Sequence, residues 1–356
     1  MTRGVLVLGA ALGFMVSSAS PVTCSEAVFG GKQGKNIVVS PSGDGDTVQV
    51  VYGQPSGNPD NPWRLWYALS LDGGANWTYS SGSLSPSVRN LNPGIVQNGD
   101  CVPYLAWQEA RFDGVNYVRS PLYFAYDQFF PYGLFTPMIV AWDTNHYWFP
   151  SIAISPGGDT VLISAADKVR QGATNNAYLF CLGGDPILMI DTQNSPYQNL
   201  DPPRMVLGSN GYIFALFNWT VDPSGASELI PYYTESLDWG SNWSPPQPVF
   251  PDTLPYVGAS GCYHGFDCVL VDDLPHCAIK LGLAGSQFGD VWEVHPTSGS
   301  PGGWSGWTPT LLAGEGQGEP WATYPSIGRD PWGSLHVVYE KRFASGSDTL
   351  PDMGYR

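Results

Sequence analysis

The sequence predicts an all-β fold of six repeated four-stranded antiparallel sheets, the last of them incomplete, and three observations carry that reading. The 356 residues include 43 Gly and 32 Pro and are 13% aromatic, with almost no long run of helical period, which is a composition of strands and turns. A short β run, a turn and a strongly apolar strand recur six times along the chain. The stretches SLDGGANWT (Ser70 to Thr78) and SLDWGSNWS (Ser236 to Ser244) share the spacing Ser-x-Asp-x-Gly-x-x-Trp.

The units begin with NIVVSPSGDGDTVQVVY at Asn36 and continue with NPGIVQNGDCVPYLAW at Asn92 and FPSIAISPGGDTVLISA at Phe149. The next three are DPPRMVLGSNGYIFALF at Asp201, FDCVLVDDLPHCAIK at Phe266 and YPSIGRDPWGSLHVVY at Tyr324. Their turns centre on Gly45, Gly99, Gly158, Gly211, Asp273 and Gly333, 53 to 62 residues apart, which is room for one four-stranded sheet each. In the first and fourth units an aromatic β-prone run follows (WRLWYAL from Trp63, IPYYT from Ile230) and leads into the shared turn, so that turn is expected to join a third strand to a fourth. A degraded copy of the turn occurs at SGSPGGWSGWT, Ser298 to Thr308. The sixth unit ends in KRFASGSDTLPDMGYR, which reads as a loop stopping where a third strand would begin. The expectation is therefore a truncated form of a longer chain, with Cys24 to Lys35 supplying one outer strand.

Each position of the shared turn has a physical task. Short Ser and Asp side chains accept hydrogen bonds from turn amides, Gly takes a backbone angle that other residues resist, and Trp covers an apolar layer. Four-stranded sheets repeated radially, each burying its faces on its neighbours, make a β-propeller, here of six blades in one domain spanning 20–356. The spacing resembles the Asp-box, or BNR repeat, of sialidase-like propellers, and the six-unit pattern extends that resemblance over nearly all of residues 25–356. The resemblance implies that the box lies between the third and fourth strands, on the face opposite the ligand site, so Asp72 and Asp238 are structural.

Sialidase chemistry implies an arginine triad whose first member stands in an Arg-Ile-Pro motif on the first blade. That motif is missing: the inner strand of the first unit is NIVVSP. Arg111, Arg170 and Arg342 instead follow the second strands of their own units, where a shared contact with Glu109, Asp167 or Glu340 explains them better than a clamp for a carboxylate. Propeller ligands sit where the loops leading into the inner strands converge. Those loops carry Asn145, His146, Tyr147 and Trp148; Asp201 and Arg204; Tyr263, His264 and Asp267; and Glu319, Trp321 and Tyr324. The ligand-binding set is accordingly His146, Trp148, Asp201, Arg204, Tyr263, His264, Asp267, Glu319, Trp321 and Tyr324. Aromatic rings stack on sugar faces while His and Asp orient polar groups. Asp201, Asp267 and Glu319 are the candidates for an acid and base pair. The primary expectation is an extracellular recognition module for a glycan or protein rather than an enzyme. The alternatives are a carbohydrate-active enzyme, glycosidase or lyase, using these carboxylates, or a structural subunit of an extracellular assembly.

Charge and leader complete the reading. With 31 acidic against 15 basic residues and a formal net charge of −16, the chain disfavours nucleic acid and anionic membranes. Met1 to Ala19, with an apolar run from Gly4 to Val16 followed by small residues, reads as a secretory signal peptide and places the protein outside the cell or at its surface. No later apolar segment is long enough to span a bilayer. Of six cysteines, the trio Cys262, Cys268 and Cys277 is the expected source of a local bridge. No cofactor or metal is read from the sequence: the cysteines lack Cys-x-x-Cys spacing. The acidic SPSGDGD stretch reads as a plain turn, and the three Asn-x-Ser/Thr triplets at Asn76, Asn218 and Asn242 read as chance matches.

Overall fold

The computed structural model describes Ile37 to Arg356 except residues 40–45, 89–91, 113, 116, 120, 142–146, 168–175, 193–198, 201–202, 221–229, 250–264, 282–288, 315–321, 331 and 346–347. The first sheet is β1 (Ile37–Val39), β2 (Val48–Pro55), β3 (Trp63–Ser70) and β4 (Thr78–Tyr79), in that order. The second contains β5 (Gly94–Gln97) and β6 (Pro103–Gln108); a small hairpin, β7 (Arg111–Phe112) and β8 (Tyr117–Arg119), then precedes its outer strands β9 (Leu122–Tyr126) and β10 (Met138–Ala141). The third is β11 (Tyr147–Ile154), β12 (Val161–Asp167), β13 (Ala177–Cys181) and β14 (Ile187–Ile190).

In the fourth, β15 (Asn199–Leu200) and β16 (Arg204–Leu207) both pair with β17 (Ile213–Thr220), which is followed by β18 (Ile230–Ser236) and β19 (Gln247–Pro248). The fifth is β20 (Phe266–Val271), β21 (Leu274–Leu281), β22 (Asp290–Ser298) and β23 (Ser305–Ala313), and the sixth is β24 (Ala322–Arg329), β25 (Leu335–Ser345) and β26 (Asp348–Tyr355). All pairings are antiparallel, and the one helical turn among the described residues is Ser209–Gly211. The fold is all-β, a six-bladed propeller, as the sequence pattern predicts. Among the described residues no helix is long and apolar enough to cross a membrane.

The chain divides into two compact units, residues 1–173 with 180–185, and residues 174–179 with 186–356. In the first unit, Val51, Leu65, Tyr67 and Leu69 pack with Ile95, Leu105 and Trp107, so facing sides of the first two sheets share one apolar layer. Because side chains alternate along a strand, Val50 and Tyr52 pack on the other side, under Trp66 and Trp77. Gln49 interrupts this run at no cost in unpaired atoms: it accepts from the Tyr67 hydroxyl (2.6 Å) and donates to Gln97 Oε1 and the Cys101 carbonyl (both 2.7 Å). In the second unit, Phe214, Leu216, Phe266, Ile279 and Val294 fill the layer between the fourth and fifth sheets. Ala278, Val291, Ile327, Val337 and Tyr339 fill the layer between the fifth and sixth.

The two Ser-x-Asp-x-Gly-x-x-Trp turns have nearly the same bonds. Ser70 Oγ donates to Asp72 Oδ1 and accepts from the Gly74 amide, both at 2.8 Å. Ser236 does the same with Asp238 and Gly240, again at 2.8 Å. Asp72 also accepts from the Asn76 amide (2.7 Å) and side chain (2.6 Å), and Asp238 from those of Asn242 (2.9 and 2.6 Å). These two asparagines thus donate from both backbone and side chain inside the turn. Gly74 and Gly240 have φ of 93° and 87°, where a Cβ is strained. Each turn is also tied to the inner turn of its own sheet, Gly73 N to Asp46 O (2.8 Å) and Trp239 N to Gly211 O (3.0 Å).

Two expectations are corrected. Residues 348–355 are not part of a loop: β26 pairs with β25 from Val338↔Tyr355 to Ser345↔Asp348 and is the third strand of the sixth sheet. Pro351 and Gly354 disguise it. Pro351 has no amide hydrogen but stands on a strand that is outermost among the described residues, where a ladder bond is dispensable. Gly354 faces Tyr339 directly, and a Cβ there would run into the buried Tyr339 ring. Cys268 and Cys277 are fully buried register partners on β20 and β21, and no disulfide joins them. Burial and the neighbouring Cys268 hold the Cys277 thiol well above its ordinary range. Cys24 and Cys262 lie outside the described residues.

Candidate functional site

Three inner strands are introduced by the same short pattern, a residue with positive φ, then Pro, a small residue and Ile. These are Asn92-Pro93-Gly94-Ile95, Phe149-Pro150-Ser151-Ile152 and Tyr324-Pro325-Ser326-Ile327, with φ of 39°, 57° and 47° at the first position. Positive φ is uncommon for a non-glycine residue, most of all for a bulky one, and costs on the order of 1–3 kcal/mol. In β11 and β24 the register slips across it, between Trp148 and Ser151 and between Thr323 and Ser326. Bulges of this kind re-aim side chains and are frequent beside functional sites. Ile95, Ile152 and Ile327 are buried and anchor the strands immediately after the distortion.

In the first unit the distortion is held by Gln108 at the end of β6, whose Oε1 accepts from the Phe149 amide at 2.7 Å. Gln108 is 0% exposed and Asn92 3% exposed, yet Gln108 Nε2 and Asn92 Nδ2 meet no acceptor among the described residues. Extending the β5–β6 register, in which Gly94 faces Ala106, brings Asn92 level with Gln108. A buried donor without an acceptor costs about 1–3 kcal/mol, and here two such donors lie level at one end of one sheet.

In the second unit Asp267, 3% exposed, accepts at Oδ2 from Ser326 Oγ (2.9 Å) and the Ile327 amide (3.1 Å). It holds β24 just beyond its distorted start. Arg204 opens β16, half-buried, with its Nε lacking an acceptor among the described residues. Tyr324 is half-buried at the distortion itself. Trp148, in the first unit, is only 6% exposed and meets Phe149 edge-on, ring centroids 5.4 Å apart; its ring belongs to the packing more than to an open stacking platform. His146, Asp201, Tyr263, His264, Glu319 and Trp321 lie outside the described residues, as do the Arg170 residue and the side chains of Arg111 and Arg342. Their proposed companions Glu109, Asp167 and Glu340 are all buried.

Sequence reasoning missed Asn92 and Gln108. The signal was available in the residue-Pro-small-Ile repeat, since a proline straight after an irregular position marks where a strand is forced to begin. It also missed a set that could hold a metal, His276 on β21 with Glu293 and His295 on β22, whose donor atoms all lie within 4.8 Å of one another. On the opposite ends of the strands, buried Glu235 accepts from the Tyr212 hydroxyl at 2.6 Å, and burial pushes its carboxyl above the usual range against the lowering effect of that bond.

No family model matches the chain, and no curated protein matches it significantly. Solved structures do. The chain is similar to an α-L-arabinofuranosidase of Fusarium graminearum solved with an iminosugar inhibitor, at TM-score 0.60 and 10% identity over 90% of this chain and 93% of that one. A polysaccharide lyase, an ulvan lyase bound to a GlcA(1-4)Rha3S unit, matches at TM-score 0.53 and 11% identity over 89% of this chain and 77% of that one. A protein of unknown function from Dyadobacter fermentans matches at TM-score 0.55 and 12% identity over 90% and 92%. At these identities the likeness is one of fold.

Proposed function

We propose that this protein is a carbohydrate-active propeller that engages a glycan at the leading ends of its inner strands and cleaves it as a glycosidase or lyase. The observation that carries the reading is the pair of buried N–H donors left without acceptors among the described residues at one end of the second sheet, Asn92 Nδ2 and Gln108 Nε2. Glycans are dense in hydroxyl and carboxylate oxygens that such donors bind. A fold does not set chemistry by itself, but propellers of this architecture include a furanosidase and a lyase bound to sugar-like or sugar ligands, which favours a glycan over a protein ligand.

Within the second unit, Asp201 and Glu319 carry the acid and base roles in this reading. They need a separation of about 5–5.5 Å for a retaining reaction or about 6.5–9.5 Å for an inverting one. Asp267 positions β24, while Tyr263, Trp321 and Tyr324 supply stacking faces, and His264 and Arg204 orient polar groups. The Ser-x-Asp-x-Gly-x-x-Trp turns support membership of the Asp-box class of sialidase-like propellers, in a chain exported by removal of residues 1–19.

A second reading, glycan recognition without turnover, draws on Asp267: its carboxylate is buried and engaged in holding a neighbouring strand, which leaves fewer candidates for acid and base. A screen on arabinan, arabino-oligosaccharides and ulvan separates the readings. Release of reducing sugar supports a glycosidase, appearance of unsaturated uronate absorbance a lyase, and saturable binding without either the recognition module. Neither binding nor release across a broad polysaccharide panel would sink both.

A further inference from the structure

Alternation on the fifth sheet separates two sets of side chains. Cys277, Ile279 and Leu281 on β21 and Val294 on β22 enter the apolar layer shared with the fourth sheet. The intervening residues His276, Glu293 and His295 must therefore lie on the other face. The register Cys277↔Val294 and Ala278↔Glu293 makes His276 and His295 direct cross-strand partners, with Glu293 two residues before His295 on the same face. Directly opposed residues have Cβ atoms about 4.5–5.5 Å apart, so two imidazoles and a carboxylate are brought together by strand pairing alone.

The side-chain geometry uses that placement. His276 Nδ1 lies 2.8 Å from Glu293 Oε1, and His295 Nδ1 lies 3.1 Å from both Glu293 oxygens. The ring centroids are 5.0 Å apart. The side chains are 14%, 13% and 31% exposed for His276, Glu293 and His295, so the set is sheltered and still open to solvent on the His295 side.

We propose that His276, Glu293 and His295 form a binding site for a first-row divalent cation of the Zn2+ class, with water completing its coordination. Two imidazole nitrogens and one carboxylate are a ligand set that zinc takes, at bonds of about 2.0–2.2 Å. Donors bound tetrahedrally at that length stand about 3.3 Å apart. The observed separations of 2.8 and 3.1 Å, within an overall span of 4.8 Å, need only small side-chain movements to reach this. Imidazole donors favour zinc, copper or nickel over calcium or magnesium, which prefer all-oxygen sites. An Nδ1 that donates to Glu293 must give up its proton before it can hold the ion. On binding, that proton moves to Nε2 of the same ring or to solvent, leaving a lone pair for the metal. The ion would clasp β21 to β22 at no cost to the apolar face behind them.

The test is calorimetric titration of the chelator-treated, thiol-alkylated full chain with ZnCl2, beside His295→Gln and Glu293→Gln variants and the double variant, each checked for folding by near-ultraviolet circular dichroism. The expected result is one Zn2+ per chain with micromolar or tighter affinity, weakened at least tenfold in each single variant and lost in the double, with weaker binding as pH falls. Saturating Zn2+ should raise the melting temperature of the wild type and not of the double variant. If the single variants do not fold, X-ray absorption of the zinc-loaded wild type must show mixed imidazole and carboxylate ligation. Absence of stoichiometric binding, unchanged binding in the folded double variant, or ligation without imidazole would each overturn the proposal.

Discussion

The carboxylates of the Ser-x-Asp-x-Gly-x-x-Trp turns and the buried amides at the leading ends of the inner strands are treated differently. At the ends carrying the Ser-x-Asp-x-Gly-x-x-Trp turns, both oxygens of Asp72 and of Asp238 are satisfied within the turn. At the leading ends of the inner strands, fully buried Gln108 and Asn92 keep donors without acceptors among the described residues, and Asn92, Phe149 and Tyr324 sit at positive φ. Register separates the two ends within one sheet: in the fourth, Ser236 of the turn faces Ile213, whereas Asn199 of β15 faces Thr220 at the other end of β17. Satisfied polar groups and tight turns lower the energy of the fold; unsatisfied groups and strain raise it and persist where a site requires them. In the reading proposed above, the turn end serves as scaffold and the leading end carries the chemistry.

The strongest way to break this division is to damage the scaffold end. Trp77→Ala removes a ring that packs over Val50, Tyr52 and Ala68 and donates from Nε1 to the Gly74 carbonyl at 2.9 Å. It should cost about 3 kcal/mol of unfolding free energy, read by urea denaturation, with ligand affinity of the folded fraction unchanged. Gly240→Ala forces a side chain onto φ 87° and into Leu179 and should cost about 2 kcal/mol. Loss of binding by either variant while its stability holds would reverse the assignment.

A variant at the leading end should show the converse. Asn92→Gly relieves the positive φ and deletes the unpaired donor, so the melting temperature should stay level or rise slightly while glycan affinity falls about tenfold, or about 1.4 kcal/mol. An affinity equal to wild type would remove Asn92 from the site.

The smallest effect is one of pH. Hydrogen bonds from Asn76 and Ser70 hold the Asp72 carboxyl below its usual range, and bonds from Asn242 and Ser236 do the same for Asp238. A depressed carboxyl contributes stability that is complete above its unfolded pKa and is lost as pH falls through the folded one. Stability should therefore decline on acidification below the ordinary carboxylate range, and Asp238→Asn should flatten part of that decline in a pH series of melting temperatures. Both groups are exposed to solvent, so a shallow slope is the expected form.

What was legible in the sequence follows the same division. The repeated turn is written in four residues at fixed spacing, each acting locally, and its bonds form as the spacing predicts. The six units were legible because alternation and turn residues are local too. The third strand of the sixth sheet was not, because Pro351 and Gly354 read as turn residues, and only the facing Tyr339 ring gives the glycine its reason. Asn92 and Gln108 were missed because their importance lies in which atoms go unpaired after packing, a property of residues brought level by strand register. The cysteine trio was read as the source of a local bridge; strand register does bring Cys268 opposite Cys277, yet no disulfide joins them.

The most direct test of the division is hydrogen exchange of the full chain with and without a saturating amount of whichever arabino- or ulvan-derived oligosaccharide the screen retains. The account predicts added protection at the amides of 92–95, 149–152 and 324–327, with 70–77 and 236–243 unchanged. Protection confined to the Ser-x-Asp-x-Gly-x-x-Trp turns, with the leading ends unaffected, would contradict it.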